Sequence, residues 1–429
     1  MYLSIDDTDS RSGGCTTYIL TEIIKRSRLF IEGFPRLVRL NPSIPWKTRG
    51  NGALSVSLIT SGERGEKIGE IDGIDYFSCR GNGDNIDPDD LIEIAAEAIY
   101  DLSELEEEGT NPGIVVSERR PEPELYYRTV RGVMETESVR KYLEANGMRY
   151  LGIKNARGVI GAAASMAWEP GPRTYEAILY KFPSSVQIPH EKKMMASMDA
   201  QRIPGTFNNV DLANRYAAIF PKERTPVILG VRSTDPGALL SSVKGIAEKY
   251  SIGYERAMIF ETNQGTDDHI ISEPDILEVN RNYGLGCRIL SYPKVISGSH
   301  YFVDIDYRGN KLKAAAFEPT KEFRKVFGLL APGDEATIYG TFSGWALNVE
   351  KMEVRSMSKI FVRVPPECSR CKLTMENHGI RDYRCRACGN RSSLPEYREK
   401  PRENILGKHD VPVIARRHLS KPFSLEGKI

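Results

Sequence analysis

No apolar run in this 429-residue chain is long enough to cross a bilayer; the most hydrophobic stretches, such as GVIGAAASMAW from Gly158, fall well short of a span. No basic, apolar leader opens the chain, so the expected compartment is the cytoplasm, with no membrane partner. G-x-x-x-x-G-K-[ST] is also missing, which excludes a P-loop as the means of holding phosphate. Cysteine is scarce, at seven residues; three stand alone and four crowd between Cys368 and Cys388, which argues against a secreted disulfide framework. A large net charge is lacking too, the formal value being +1.

That near-neutrality hides an asymmetry. From Lys359 to Ile429 there are 16 Lys and Arg against 8 Asp and Glu, while the rest of the chain has 43 against 50. A basic end on an otherwise acidic chain suggests an anionic partner, nucleic acid above all, although a solvated tail gives the same count. The length calls for three or four domains.

Residues 1–125 read as one mixed α/β unit. YLSI is a strand ending at Asp6, TTYILTEIIKRSRLF a helix, PRLVRLNP and GALSVSLIT strands, and PDDLIEIAAEAIYDL an amphipathic helix with Asp at its start. Residues 126–280 continue as helix ESVRKYLEAN, strand MRYLGIK, the glycine-bearing NARGVIGAAASMA, and strands TYEAILYKF, TPVILGVRS and RAMIFETN around helix PGALLSSVKGIAEKY. This order fits a ferredoxin-like sandwich, with doubly wound topologies fitting almost as well. Residues 281–358 give three strands, a short helix and two strands, the order of an OB-fold or of another small barrel.

Residues 359–429 carry the strongest single motif. Cys368, Cys371, Cys385 and Cys388 form two C-x2-C knuckles, the spacing of a four-thiolate Zn²⁺ site with no open position, hence a structural one; iron is the alternative occupant. Around and after the knuckles lie arginines and lysines suited to phosphate, among them Arg384, Arg386, Arg416, Arg417 and Lys421, with aromatic side chains available for stacking.

IDDTDSRSGGCTT, from Ile5 to Thr17, is the second chemical stretch. Asp6, Asp7 and Asp9 stand where a strand ends, the place α/β proteins use for ligands, and three carboxylates there repel unless a cation such as Mg²⁺ intervenes. Gly13 and Gly14 permit a tight turn, and Thr16 or Thr17 can cap the helix whose free N–H groups make an anion site. Turn formation alone would explain the serines and threonines but not the adjacent carboxylates. A phosphatase with Asp7 as nucleophile and Asp9 as acid is a further alternative, lacking the expected Thr two residues on. In KTRGNGA, Lys47 and Arg49 beside Gly50, Asn51 and Gly52 suit a polyphosphate, though Asn-Gly also favours a hairpin turn. Asn208, Asn209 and Asp211 in TFNNVD, and Asp267, Asp268 and His269 in TNQGTDDHI, read equally well as turn residues.

Taken together, IDDTDS, GGCTT, GFPRLVRLNPSIPWKTRGNGA, TNPG, RGVIGA, TFNNVD, AAFEPTKEFR, the paired knuckles and ARRHLSKP resemble the archaeal tRNA agmatidine synthetase family, TiaS, over essentially the whole chain. The resemblance implies a kinase-like α/β catalytic domain, a ferredoxin-like domain, an OB-fold and a C-terminal zinc ribbon. It implies an ATP-dependent ligase that attaches agmatine to carbon 2 of the wobble cytidine in the CAU-anticodon isoleucine tRNA, so that the tRNA reads AUA. Asp6, Asp7 and Asp9 then hold Mg²⁺ and the ATP phosphates and Thr16 is the autophosphorylated residue. Arg49 to Gly52 and the loops around Asp211 border the nucleotide and agmatine pockets. The family pattern has Asp where this chain has Asn208. A nucleic-acid binding protein without chemistry is the alternative that leaves the aspartates unexplained.

Overall fold

A computed structural model describes residues 1–48, 50–82, 85–181, 187–221 and 224–429. Strand β1 (Tyr2–Asp6) is the seed of the architecture: Leu3 and Ile5 point to one face and Ser4 to the other, all buried, as expected of a strand covered on both sides. Around it run α1 (Thr16–Ser27), β2 (Phe30–Arg39), β3 (Gly52–Ile59), β4 (Ser61–Ile71), β5 (Ile74–Asn82), α2 (Pro88–Leu102) and β6 (Gly113–Ser117). They are followed by α3 (Pro123–Arg131), α4 (Thr136–Ala145), β7 (Arg149–Gly152) and α5 (Gly158–Ala167). The next unit contributes β8 (Thr174–Tyr180), α6 (His190–Arg202), β9 (Thr206–Phe207), β10 (Val210–Asp211), β11 (Tyr216–Ala217), β12 (Val227–Ser233), α7 (Leu239–Lys249) and β13 (Arg256–Thr262).

Both units share one 11-stranded sheet in the order β7-β6-β1-β3-β2-β5-β4-β13-β8-β12-β9. The join is a fork in β2. Before a bulge between Glu32 and Arg36 it runs parallel to β5; beyond it, Arg36 and Leu37 pair with Glu261 and Thr262 of β13. Residues beyond 125 belong to the first unit's sheet, since β7 pairs with β6. Helices α1 and α2 cover one face through Ile19, Ile23, Leu91, Ala95 and Ile99, and α3 to α5 cover the other around Val38, Val115 and Trp168. Nine of the ten residues of α5 are buried, and its Ala/Gly composition lets it lie against the sheet without an exposed face.

From β14 (Ile270–Ser272) the chain enters a barrel of β15 (Asn282–Ile289), β17 (His300–Tyr307), β18 (Asn310–Ala316), β19 (Glu335–Phe342) and β20 (Leu347–Ser356), with β16 (Lys294–Ile296) at the edge and α8 (Phe323–Phe327) before β19. β15 pairs with β17, β17 with β18, β18 with β20 in parallel, β20 with β19, and β19 with β15. That closed order is OB-like, as the strand pattern predicts. A cysteine module follows, and the chain then returns: Gly407–Asp410 adds to β20, and residues 411–429 cross back to the large sheet, where Leu419 joins the core under α5. No helix among the described residues is long and apolar enough to cross a membrane.

Candidate active site

β1 delivers Asp6 and Asp7 at its C-terminal end, and Asp7 takes a left-handed conformation (φ 56°) that turns the chain away from the sheet. The loop then knots itself: Ser10, buried, accepts from the N–H groups of Ser12 and Gly13, and Ser10 N–H donates to Gly13 O at 2.9 Å. It is pinned to the segment before β6, where Thr110 donates to Asp9 O at 3.1 Å and Asn111 N–H to Asp7 O at 3.1 Å. Gly14 (φ 73°) closes the turn; a Cβ there would lie 3.2 Å from Thr8 O. Cys15, in extended conformation, occupies the cap position of α1, and Thr16 is the first helical residue. The expectation that Thr16 or Thr17 caps the helix is therefore corrected. No side chain caps the first turn, which carries no acidic residue, and Cys15 Sγ instead contacts Thr17 Oγ1 at 3.0 Å. No capping side chain therefore occupies the N-terminal end of α1, the end of a helix that suits an anion.

RGVIGA explains itself in this setting. A Cβ on Gly161 would sit 1.8 Å from Asp6 Oδ2, and one on Gly158 2.6 Å from Asp6 O, so only glycine allows α5 to approach the carboxylate. Arg157, just before α5, donates to Asp7 Oδ2 at 2.9 Å. Burial, then the neighbouring Asp7 and Asp9 charges, push the Asp6 carboxyl well above its usual range. Burial also pushes Asp7 up, to about 6, against the pull of Arg157. Thr48 donates to Asp9 Oδ1 at 2.9 Å.

Asp6, Asp7, Asp9 and Thr16 all line one cavity of about 560 Å³. Its opposite wall comes from the second unit and from the C-terminal segment: Glu176 of β8, Gly230 and Arg232 of β12, Tyr216, and His418. Arg39 stands between the walls. Gly50 and Gly52 leave it room, since a Cβ on either would lie under 3 Å from its Nη1, and it pairs with Glu176 at 3.7 Å. Burial lowers its pKa, and among the described residues its Nε has no hydrogen-bond partner, an orphaned donor beside the cavity.

Lys47, Gly50, Asn51 and Gly52 line the same cavity. Lys47 donates to Pro42 O and is depressed by burial and then by Arg417; Asn51 (φ 47°) donates to Asn41 O at 2.8 Å. Arg49 lies outside the described residues. Gly13 sits in the turn behind Thr16, close to Glu104. Asn208, Asn209 and Asp211 do not line the cavity. They shape the β10–β11 hairpin, whose return strand supplies Tyr216 to it: Asp211 accepts from Asn214 and Ile414 N–H, Asn209 is buried, and Asn208 (φ 56°) accepts from Arg416.

The C-terminal basic residues divide. Arg384 and Arg386 are exposed on the cysteine module. Arg416, Arg417 and Lys421, expected to face a nucleic acid, are engaged within the protein. Arg416 reaches Asn208, Val411 O and Asp410; Arg417 reaches Asn282, Thr341 and Glu350; and Lys421 N–H donates to Asp267 while its Nζ reaches Ile429 O. The physical reason is the return strand, which lays this segment in the seam between barrel and sheet, where carboxylates and amides await it. Arg39, Arg157, Glu176, Arg232, Gly161 and His418 were not expected as site residues; RGVIGA and ARRHLSKP marked three of these positions, Arg157, Gly161 and His418, without naming a role.

In the cysteine module both knuckles make the same turn. Lys372 N–H donates to Cys368 O and Gly389 N–H to Cys385 O, each from a left-handed residue. The four Sγ atoms lie within 4.8 Å of one another, with Cys368 and Cys388 at 3.6 Å, close to the roughly 3.8 Å sulfur separation of a tetrahedral ZnS₄ site. Among the described residues no carboxylate or histidine set converges in this way.

Two family descriptions match in tandem, a TiaS TCKD domain over residues 2–155 and a TiaS FLD domain over residues 156–269. The chain is 44% identical over 427 residues to the isoleucine-tRNA 2-agmatinylcytidine synthetase TiaS of Thermoplasma volcanium, covering 99% of this chain and 97% of that protein. It is 34% identical to the corresponding protein of Archaeoglobus fulgidus, covering 100% and 99%. Solved structures agree: a complex of TiaS with its isoleucine tRNA and ATP superposes with a TM-score of 0.84 at 33% identity over 99% of this chain and 96% of that one. A complex of TiaS with the same tRNA, AMPCPP and agmatine does so with 0.80 at 31% over the same shares.

Proposed function

This chain belongs to the TiaS family, and we propose that it is an ATP-dependent ligase joining agmatine to carbon 2 of the wobble cytidine of the minor isoleucine tRNA, whose CAU anticodon then reads AUA. The observation that carries the reading is the single cavity onto which carboxylates Asp6, Asp7 and Asp9, the open N-terminus of α1 with Thr16, and Arg39 all converge.

A cytosine carbonyl oxygen is a poor leaving group; phosphorylation turns it into a good one, and positioning plus charge stabilisation do most of the work of phosphoryl transfer. The N-terminal end of α1 donates to phosphate oxygens, with Arg39 and Lys47 opposite. Thr16 faces them as the phosphoacceptor. Mg²⁺ suits the aspartate end: Asp6 and Asp7 are buried and repel each other despite the nearby Arg157 and Lys154, and one or two carboxylates with phosphate oxygens and water are the usual Mg²⁺ set. There it would neutralise phosphate charge. Agmatine enters from the β8–β12 side, where Asn208, Asn209 and Asp211 brace the hairpin behind the wall. The target base leaves its stack to reach the cavity.

Residues 2–155 serve as the kinase-like catalytic domain and 156–269 as the ferredoxin-like domain, in place of the boundary expected at 125, with the OB-fold over 281–358 and the zinc ribbon with its tail over 359–429. Zn²⁺ on the four thiolates staples a segment with little core of its own, and Arg384 and Arg386 present charge to the tRNA.

Incubation with ATP, labelled agmatine and a transcript of the CAU-anticodon isoleucine tRNA should label the wobble cytidine, and Asp7→Asn should abolish that labelling. A wild-type protein that leaves both ATP and the base unchanged would sink the reading.

A further inference from the structure

His418 reaches the cavity from the far end of the chain, and its partners decide which ring nitrogen holds the proton. The Glu176 carboxylate, paired with Arg39 and Arg232, only accepts, so the Gln264 amide must turn its Nε2 toward it. Gln264 Oε1 is then the atom that meets His418 Nδ1, at 2.9 Å, and it too only accepts. Nδ1 therefore carries the proton and Nε2 a lone pair. Nε2 has no hydrogen-bond partner among the described residues. The ring lines the cavity beside Gly50, where a Cβ would lie 3.2 Å from Nε2 and close off the approach.

Three backbone and side-chain ties fix the ring's place. Gly265 N–H donates to His418 O, Asp267 N–H to Leu419 O, and Leu419 is buried in the sheet's core. The charged groups facing the imidazole are Arg39 from β2, Arg232 from β12 and Lys47 from the β2–β3 loop. Together with burial, the larger cause, they hold its pKa well below the usual histidine value.

We propose that His418 Nε2 is the general base of the amine-transfer step, oriented by the relay Glu176–Gln264–His418. This rests on the ligase reading above. As the agmatine nitrogen forms its bond to carbon 2, the bond from carbon 2 to the phosphorylated oxygen breaks and phosphate departs with the electron pair. The nitrogen sheds a proton to Nε2. An imidazolium beside Arg39, Arg232 and Lys47 is short-lived and returns the proton to the departing phosphate. Glu176 and Gln264 are positioning residues. They hold the tautomer and touch no reacting atom.

Single-turnover agmatine transfer to pre-bound isoleucine tRNA, followed from pH 6 to 9.5 in wild type, His418→Asn and His418→Ala, tests this. Asparagine can still donate to Gln264 but offers no lone pair at the Nε2 position, so it separates a base from a brace. The expected result is a loss of roughly 10²-fold or more in both variants, with melting temperature kept in His418→Asn and transfer partly restored to His418→Ala by added imidazole. Transfer by His418→Asn within about threefold of wild type, or loss without imidazole rescue at every pH, would overturn the assignment. Absence of transfer in the wild type would instead overturn the ligase reading.

Discussion

Two basic stretches of the same C-terminal region meet opposite fates. Arg384 and Arg386 ride on the cysteine module and face outward, whereas Arg416, Arg417 and Lys421, equally basic in sequence, are drawn into the seam between barrel and sheet. Charge density alone does not tell a partner-binding surface from an internal strap. What separates them is the acceptor supply: the strap runs past Asp267, Glu350, Asp410 and Asn282, whereas among the described residues no carboxylate forms an ion pair with the exposed Arg384 or Arg386.

Removing residues 411–429 attacks the strap directly and should have the largest effect. It takes Leu419 and Leu425 out of buried sites and His418 out of the cavity, so a stability loss above about 3 kcal/mol is expected, with agmatine transfer abolished. Calorimetry together with the transfer assay reads both; a truncated protein of unchanged stability would mean the strap is not part of the fold. Cys385→Ser should act on the module alone. Bound zinc falls, the module melts and tRNA affinity drops by an order of magnitude or more, while the main thermal transition stays within a few degrees. Loss of the main transition would show that the two regions are not separable.

A subtler probe is Glu350, which receives Arg417 at 3.4 Å and His269 at 3.1 Å. Burial favours its neutral form, yet His269 and then Arg417 overrule that and hold its carboxyl at about 2. A depressed carboxylate adds stability that is complete above its unfolded value, near 4.5, and is lost as pH falls toward 2. Glu350→Gln should therefore cost about 2–3 kcal/mol at pH 7, and the gap to wild type should close between pH 4.5 and 2 in urea titrations. A gap independent of pH would remove the ionic account of the strap.

How much was legible in the sequence follows from the range of each interaction. The knuckles could be read because a C-x2-C turn is complete within a few residues, and the barrel because strand order and one helix define it. The strand-to-helix turn that carries the aspartates was legible for the same reason. Its partners were not: Arg157 joins Asp7 across 150 positions, and His418 reaches Gln264 across 154. No local period or spacing reports such pairs. Gly158 and Gly161 stood out in RGVIGA, but their reason, the approach of α5 to Asp6, exists only once β1 and α5 are packed. The cap of α1 was not legible either, because Cys15, a poor capping residue, holds the position that the threonines after it would suit.

The outward arginines are expected to serve tRNA and the inward ones to hold the seam that carries His418 to the cavity, and salt dependence separates the two. In isoleucine-tRNA binding measured across roughly 50–300 mM salt, Arg384→Ala with Arg386→Ala should weaken affinity and flatten the log–log slope by about 2. Arg417→Ala should leave the slope unchanged while agmatine transfer falls. A flattened slope for Arg417→Ala, or an unchanged one for the Arg384 and Arg386 pair, would contradict the division.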